Sequence, residues 1–206
     1  TRRPAAKAKG AETAKATTGT KAVKTTKTAA KTTVRRKTTK QAAGSKRKAN
    51  ANQPTVRIIP LGGIGEVGKN MTVIEYENDI IVVDCGMTFP QSDMLGIDYV
   101  IPDVSYLAKN KDKIRGFLFT HGHEDHIGAT PFILKDFKNV PIYGGRLTLA
   151  LIEHKMEEHR IKGIKSNVIK AGSKVKLGCF TITFLKVSHS IADAYALAIE
   201  TPVGTI

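Results

Sequence analysis

The chain has 206 residues, with 33 Lys or Arg against 18 Asp or Glu, two cysteines and no tryptophan. No apolar run approaches the ~20 residues that cross a bilayer, and none reads as a secretory h-region. Cys85 and Cys179 are too few for a disulfide framework and are not spaced as a metal-binding pair, so a reducing, cytoplasmic setting is expected, with no membrane partner.

The +15 excess of positive charge sits at one end. Residues 1–50 hold 16 basic side chains and one acid, Glu12, whereas residues 51–206 hold 17 of each. The first segment is built from Lys, Ala and Thr, with no aromatic residue and only Val23 and Val34 as larger apolar groups. It cannot bury enough surface to offset a backbone ordering cost of roughly 1–2 kcal/mol per residue. Residues 1–53 are therefore expected to be a disordered basic tail, suited to nonspecific contact with a polyanion such as RNA. The chain starts at Thr1 without an initiator methionine and stops in "TPVGTI", a turn feeding a strand, so both ends read as cuts in a longer protein.

From Pro54 the texture becomes that of a globular domain. "TVRIIPL" predicts a strand, followed by the glycine loop "GGIGEVGKN" and two further strands, "MTVIEY" and "IIVVD", in an antiparallel meander. The loop contains a literal G-x-G-x-x-G, Gly63 to Gly68. A dinucleotide fingerprint needs a helix directly after the glycines, because the pyrophosphate rests on that helix's N–H groups. A strand follows instead, so the glycines are expected to permit a tight turn at positive φ and a close approach of backbone to a neighbouring cleft.

Next come a short helix over 105–111, a buried strand over 114–120, the run "HGHEDHIGA", and a helix in "TPFILKDF" with Pro131 in its first turn. "VPIYG" predicts a strand and residues 147–160 an amphipathic helix; the remainder is strand-rich. Sheets covered by helices, an α/β fold, are implied.

The chemistry concentrates in His121, His123, Asp125 and His126, an H-x-H-x-D-H. In extended backbone, residues two apart share a face, so His121 and His123 can reach one point. After a turn, Asp125 and His126 can address a second point. Mixed imidazole and carboxylate donors suit two divalent cations, zinc first and manganese second. His189, at the end of the strand "FLKVSHS", is the expected distant ligand, and Asp84, closing "IIVVD", is expected to orient a histidine from behind. His154 and His159, in a charged helix, are expected to be solvated. Glu124 should point away from His121 and His123, and Cys85 should be a small buried apolar group. Water held by such ions ionises near neutral pH and can attack a phosphorus or carbonyl centre, which makes hydrolysis the reaction class.

"THGHEDHIG" resembles the metal-binding signature of the metallo-β-lactamase superfamily. "PLGGIGEVGKNMTVIEY", "IIVVDCGMTFP", "GIDYVIPD" and "VPIYGGRLTLALIE" resemble the ribonuclease J family, in the β-CASP group of that superfamily. The resemblance runs from Thr55 to Ile206 and leaves out the basic tail. It implies a four-layer αββα sandwich, incomplete here, with residues 54–206 forming the N-terminal part of the domain and ending before the β-CASP insertion. It also implies that His121, His123 and His189 bind one metal and Asp125 and His126 the other. Asp84 would be a supporting group, and an aspartate and a histidine that complete the site would lie downstream. The implied function is that of a metal-dependent ribonuclease, exo- or endonucleolytic, in RNA processing and decay, self-associating as a full-length protein. The competing expectations are an ester or thioester hydrolase of the same superfamily, and a noncatalytic RNA-binding fragment acting through the tail.

Overall fold

A computed structural model of the chain describes residues 54–206; the expected basic tail, residues 1–53, lies outside them. The meander forms as expected. Strands β1 (Arg57–Gly62), β2 (Met71–Tyr76) and β3 (Asp79–Val83) pair antiparallel in sequence order. Strands β4 (Ile114–Leu118), β5 (Ile142–Gly144) and β6 (Ser166–Val168) then add in parallel, giving a six-stranded sheet in order β1 to β6. A second, antiparallel sheet has the order β10-β9-β8-β7. Its strands are β7 (Lys174–Leu177), β8 (Phe180–Lys186), β9 (Tyr195–Thr201) and β10 (Gly204–Thr205).

Alternation along the central strands creates two cores. Ile80, Val82, Phe117 and Phe119 face the helices, together with Leu107, Ile133, Leu134, Leu149, Ile152 and Met156. Their neighbours Ile81 and Leu118 face the second sheet and pack against Leu177, Phe180, Ile182, Phe184 and Ile199. Strands buried on both faces have little need of polar residues, which is why β3 and the core of β4 read as continuous apolar runs. Each fully buried Phe or Ile contributes about 1.5–3 kcal/mol, so the two-sided burial of β3 and β4 makes them the rigid centre of the molecule.

The helices are α1 (Ser105–Lys109), α2 (Glu124–Ile127), α3 (Thr130–Leu134) and α4 (Arg146–Glu158). Three are shorter than the sequence suggests. Residues Lys111–Lys113 form a separate 3-10 turn after α1, and α3 stops at Leu134. α4 ends where Arg160 takes φ 56° and the Ile161 N–H donates to Met156 O, a left-handed C-terminal cap. α2 was not expected as a helix at all; four residues of the histidine run close one tight turn. Among the described residues the helices cover only the first sheet, so the observed layers are α/β/β. The expected sandwich is present as far as these elements go.

The parallel strands β3, β4 and β5 run in one direction, and the segments leaving their carboxyl ends carry Asp84, Thr120 to His126, and Gly145. That rim is where open α/β sheets place ligands.

Candidate metal centre

Three imidazoles converge at the rim. His121 Nε2 lies 3.1 Å from His123 Nδ1 and 3.1 Å from His189 Nε2, and the last two nitrogens are 3.2 Å apart. His121 is buried, His123 half-buried and His189 exposed. A tetrahedral ion about 2.0–2.1 Å from each of three nitrogens would spread them to roughly 3.3–3.4 Å. The donor set and its spacing therefore fit a zinc-like cation after an opening of a few tenths of an ångström.

The second point expected from the sequence is a pair. Asp125 Oδ2 stands 3.4 Å from His126 Nε2. Asn70, the last residue of the glycine loop, was not singled out from the sequence, yet it organises this pair. Its Nδ2 donates to Asp125 Oδ2 at 3.0 Å and to Asp125 O at 3.1 Å, with His126 Nε2 at 3.3 Å, and its backbone N–H donates to Asp125 O. The glycine loop makes this possible: a Cβ on Gly63, at φ 85°, would lie 2.5 Å from Asn70 Oδ1. Gly86 is packed more tightly still, since a Cβ there would fall 1.6 Å from Asp125 O. The close-approach reading of the loop is thus realised at the cleft itself.

Behind the candidate ligands runs a hydrogen-bonded chain centred on Asp84. Its carboxylate accepts the Thr120 N–H at 2.8 Å, the Thr120 hydroxyl at 2.8 Å and His126 Nδ1–H at 2.7 Å. With its proton given to Asp84, Thr120 Oγ1 is an acceptor for His121 Nδ1–H, 3.0 Å away. Both rings are thereby held in the tautomer whose Nε2 carries a free lone pair, the form a metal requires. Asp84 also takes φ 61°, in the left-handed region that Asp tolerates better than most residues.

Electrostatics follow the geometry. Burial, reinforced by the neighbouring rings of His126, His189 and His123, pushes His121 down to about 4, so this ring is neutral at neutral pH. Burial acts in the same sense on His126, but the Asp84 hydrogen bond and the Asp84 and Asp125 charges outweigh it and raise that ring above its ordinary value.

His189 is delivered by the connection between β8 and β9, and that connection is tied down at its C-terminal end. Tyr195 N–H donates to Thr120 O, and Asp193 Oδ2 accepts the Leu147 N–H at 2.9 Å, capping α4 from a distance. The remaining side chains stay outside. Glu124 pairs with Lys155 at 2.6 Å and links α2 to α4; Cys85 is fully buried. His154 faces solvent beside Glu158, and the exposed His159 packs edge-on against Phe132.

A cluster of three histidines that could hold a metal, at the strand ends of an α/β/β sandwich, points to the class of metal-binding hydrolase folds. The model of the metallo-beta-lactamase superfamily matches residues 64–177, more than half of the chain, and the chain belongs to that superfamily. Within it, Ribonuclease J of Helicobacter pylori is 47% identical over 162 residues, covering 77% of this chain and 23% of the relative. Ribonuclease J 1 of Streptococcus pyogenes is 47% identical over 152 residues, covering 73% and 27%. The resemblance read from the sequence is borne out, and the chain spans about a quarter of the length of these relatives. Among solved structures, the metallo-beta-lactamase fold protein YhfI from Bacillus subtilis superimposes with a TM-score of 0.51 at 22% identity, over 73% of this chain and 60% of that one, which supports the fold. No helix among the described residues is long and apolar enough to cross a membrane.

Proposed function

We propose that this chain is the N-terminal, metal-holding part of a metal-dependent ribonuclease of RNA processing and decay. It would act on cytoplasmic RNA from the 5′ end, internally, or both. The observation that carries the reading is the convergence of the His121, His123 and His189 nitrogens beside the Asp125–His126 pair, in a chain this similar to ribonuclease J.

In this reading His121, His123 and His189 hold one divalent ion, and Asp125 and His126 offer two donors to a second. Zinc is favoured by the imidazole set, with manganese next. Ions bound there supply Lewis acidity, generating a nucleophile from water near neutral pH and neutralising charge on the phosphoryl oxygens. The chain's own part is positional. Asp84 and Thr120 fix the tautomers of His121 and His126, Asn70 aims the Asp125 carboxylate, and Asp193 seats the His189 loop. Two donors are too few to hold an ion firmly, so residues 54–206 hold one ion well, the second weakly, and do not cut RNA alone. The missing ligands, the β-CASP insertion and the self-association surface belong to the rest of a chain as long as its relatives.

The test is a calorimetric zinc titration of the 206-residue chain beside cleavage assays on 5′-monophosphorylated RNA and on a thioester. One tight equivalent, abolished by His189→Ala, is expected, with RNA cleavage only in a chain extended to its relatives' length. Metal-dependent RNA cleavage by the 206-residue chain would overturn the division of labour. Thioester turnover without RNA turnover in the extended chain would overturn the substrate class.

A further inference from the structure

The globular part is electrically neutral as a whole but strongly divided. Residues 54–158 hold 10 basic and 15 acidic side chains, while between Glu158 and Asp193 there are seven cations and no carboxylate. The seven are Arg160, Lys162, Lys165, Lys170, Lys174, Lys176 and Lys186, and all are exposed. None joins an ion pair among the described residues. The salt bridges there all lie earlier in the chain, at Arg57, Lys69, Lys113, Arg115, His126, His154 and Lys155.

The fold lays these cations out as a band. β6 is the outermost strand of the first sheet, β7 the outermost strand of the second, and they are consecutive. At one end of the band, Gly172 N–H donates to Phe184 O and Lys186 pairs with Tyr195, whose N–H donates to Thr120 O beside His121. The backbones of Lys170, Lys174 and Lys186 thus lie at the end of the sheets that carries the histidines, with Lys174 and Lys186 on opposite faces of the second sheet. At the other end, Lys165 O accepts the Ile142 N–H at the start of β5, which places Lys162 and Arg160 toward the opposite rim.

Lysines on an open edge strand guard against edge-to-edge pairing. That accounts for Lys174 and Lys176 on β7, but the other five lie in connections or at a strand end. We infer that this β6–β7 edge is a track for the phosphodiester backbone of single-stranded RNA, leading to or from the metal rim. The inference rests on the ribonuclease reading above. The aromatic residues of the segment, Phe180 and Phe184, are buried, so no ring is offered to a base, and the contact is with phosphates and indifferent to sequence.

Lysine-acetylation footprinting of the 206-residue chain with an oligouridylate RNA in chelator tests this, because each lysine is read separately from those of the tail. Lys170, Lys174, Lys176 and Lys186 are expected to lose reactivity while Lys109, Lys111, Lys135 and Lys138 keep theirs. As a second measure, the triple variant Lys170→Gln, Lys174→Gln, Lys186→Gln should reduce the slope of log K against log salt by about 2, at ~0.7 per phosphate on a single strand. The variant Lys109→Gln, Lys111→Gln, Lys135→Gln should not change it. Uniform or absent protection, or protection by an acidic peptide but not by RNA, overturns the inference. Cleavage by the extended chain with an unprotected band sinks the track alone. A protected band in a chain that never cleaves sinks the nuclease reading alone.

Discussion

At the scale of single residues, the site depends on groups that touch no ligand. Thr120 Oγ1 joins His121 to Asp84, and its replacement by Val keeps the shape while removing both bonds. Thr120→Val should weaken zinc binding by roughly 10–100-fold, as loss of an outer hydrogen-bond partner does, in a calorimetric titration. Asp84→Asn should do the same: Asn tolerates left-handed backbone as well as Asp, but it puts a donor NH2 where one of the two accepting oxygens stood, so an acceptor is lost together with the charge. Asp193 gives a second, separable prediction. Asp193→Ala removes a helix cap worth about 0.5–2 kcal/mol and loosens the His189 loop, so both the melting temperature and zinc affinity should fall. Asp193→Asn keeps an acceptor oxygen and should restore both. The four clustered donors and His189 were legible in the sequence because like residues at alternating positions and at a strand end announce themselves. Thr120, Asn70 and Asp193 were not, since their partners across the cleft, Asp84, Asp125 and Leu147, lie 36 to 55 positions away in the chain.

At the scale of elements, the strands were the readable part and the short helices the unreadable part. β2, β3 and β4 follow from apolar runs bounded by turn residues. α2 does not, because a single helical turn with no side-chain cap is held only by its surroundings: Met87 N–H to Glu124 O and Cys85 N–H to His126 O. The link between the sheets is likewise tertiary. Asp79, opening β3, accepts Arg115 Nε–H at 2.5 Å and the Cys179 N–H, in the β7–β8 turn, at 2.7 Å. Burial pushes the Asp79 carboxyl up, but the Arg115 and Cys179 contacts outweigh it and leave it below the ordinary value. A depressed folded pKa means stability that is fully present above the unfolded value, about 3.9, and lost as pH falls through the folded one. Asp79→Asn should therefore cost on the order of 1–3 kcal/mol in urea unfolding at pH 7. The gap from the parent should close as pH drops below 4, and a gap that stays constant down to pH 2 would rule the carboxylate out as its source.

At the scale of the whole molecule, the net charge and the candidate metal ligands lie in different parts of the chain. Deleting residues 1–50 removes 16 cations and one acid, so RNA affinity should become much less salt-dependent, while zinc affinity should stay where it was. Gel-shift titrations across salt, paired with calorimetry, separate the two. A tail deletion that abolished all RNA binding would favour a protein working through its arm alone. The sheet-on-sheet architecture was legible in outline from the resemblance. The uneven spread of charge within a neutral domain can be counted in the sequence, but its placement along one edge cannot, because that depends on β6 and β7 each being the outermost strand of its sheet.

His121 and His123 leave the end of one sheet, whereas His189 leaves the end of the other. A cation gripped by all three therefore acts as a clasp across the sandwich, closing a loop of 68 positions between His121 and His189. Free zinc at about 100 times its dissociation constant should add about 2.7 kcal/mol to the folded state. Slowed amide hydrogen exchange in the β8–β9 hairpin, reversed by chelator, would make the ion a structural fastener before it is anything else.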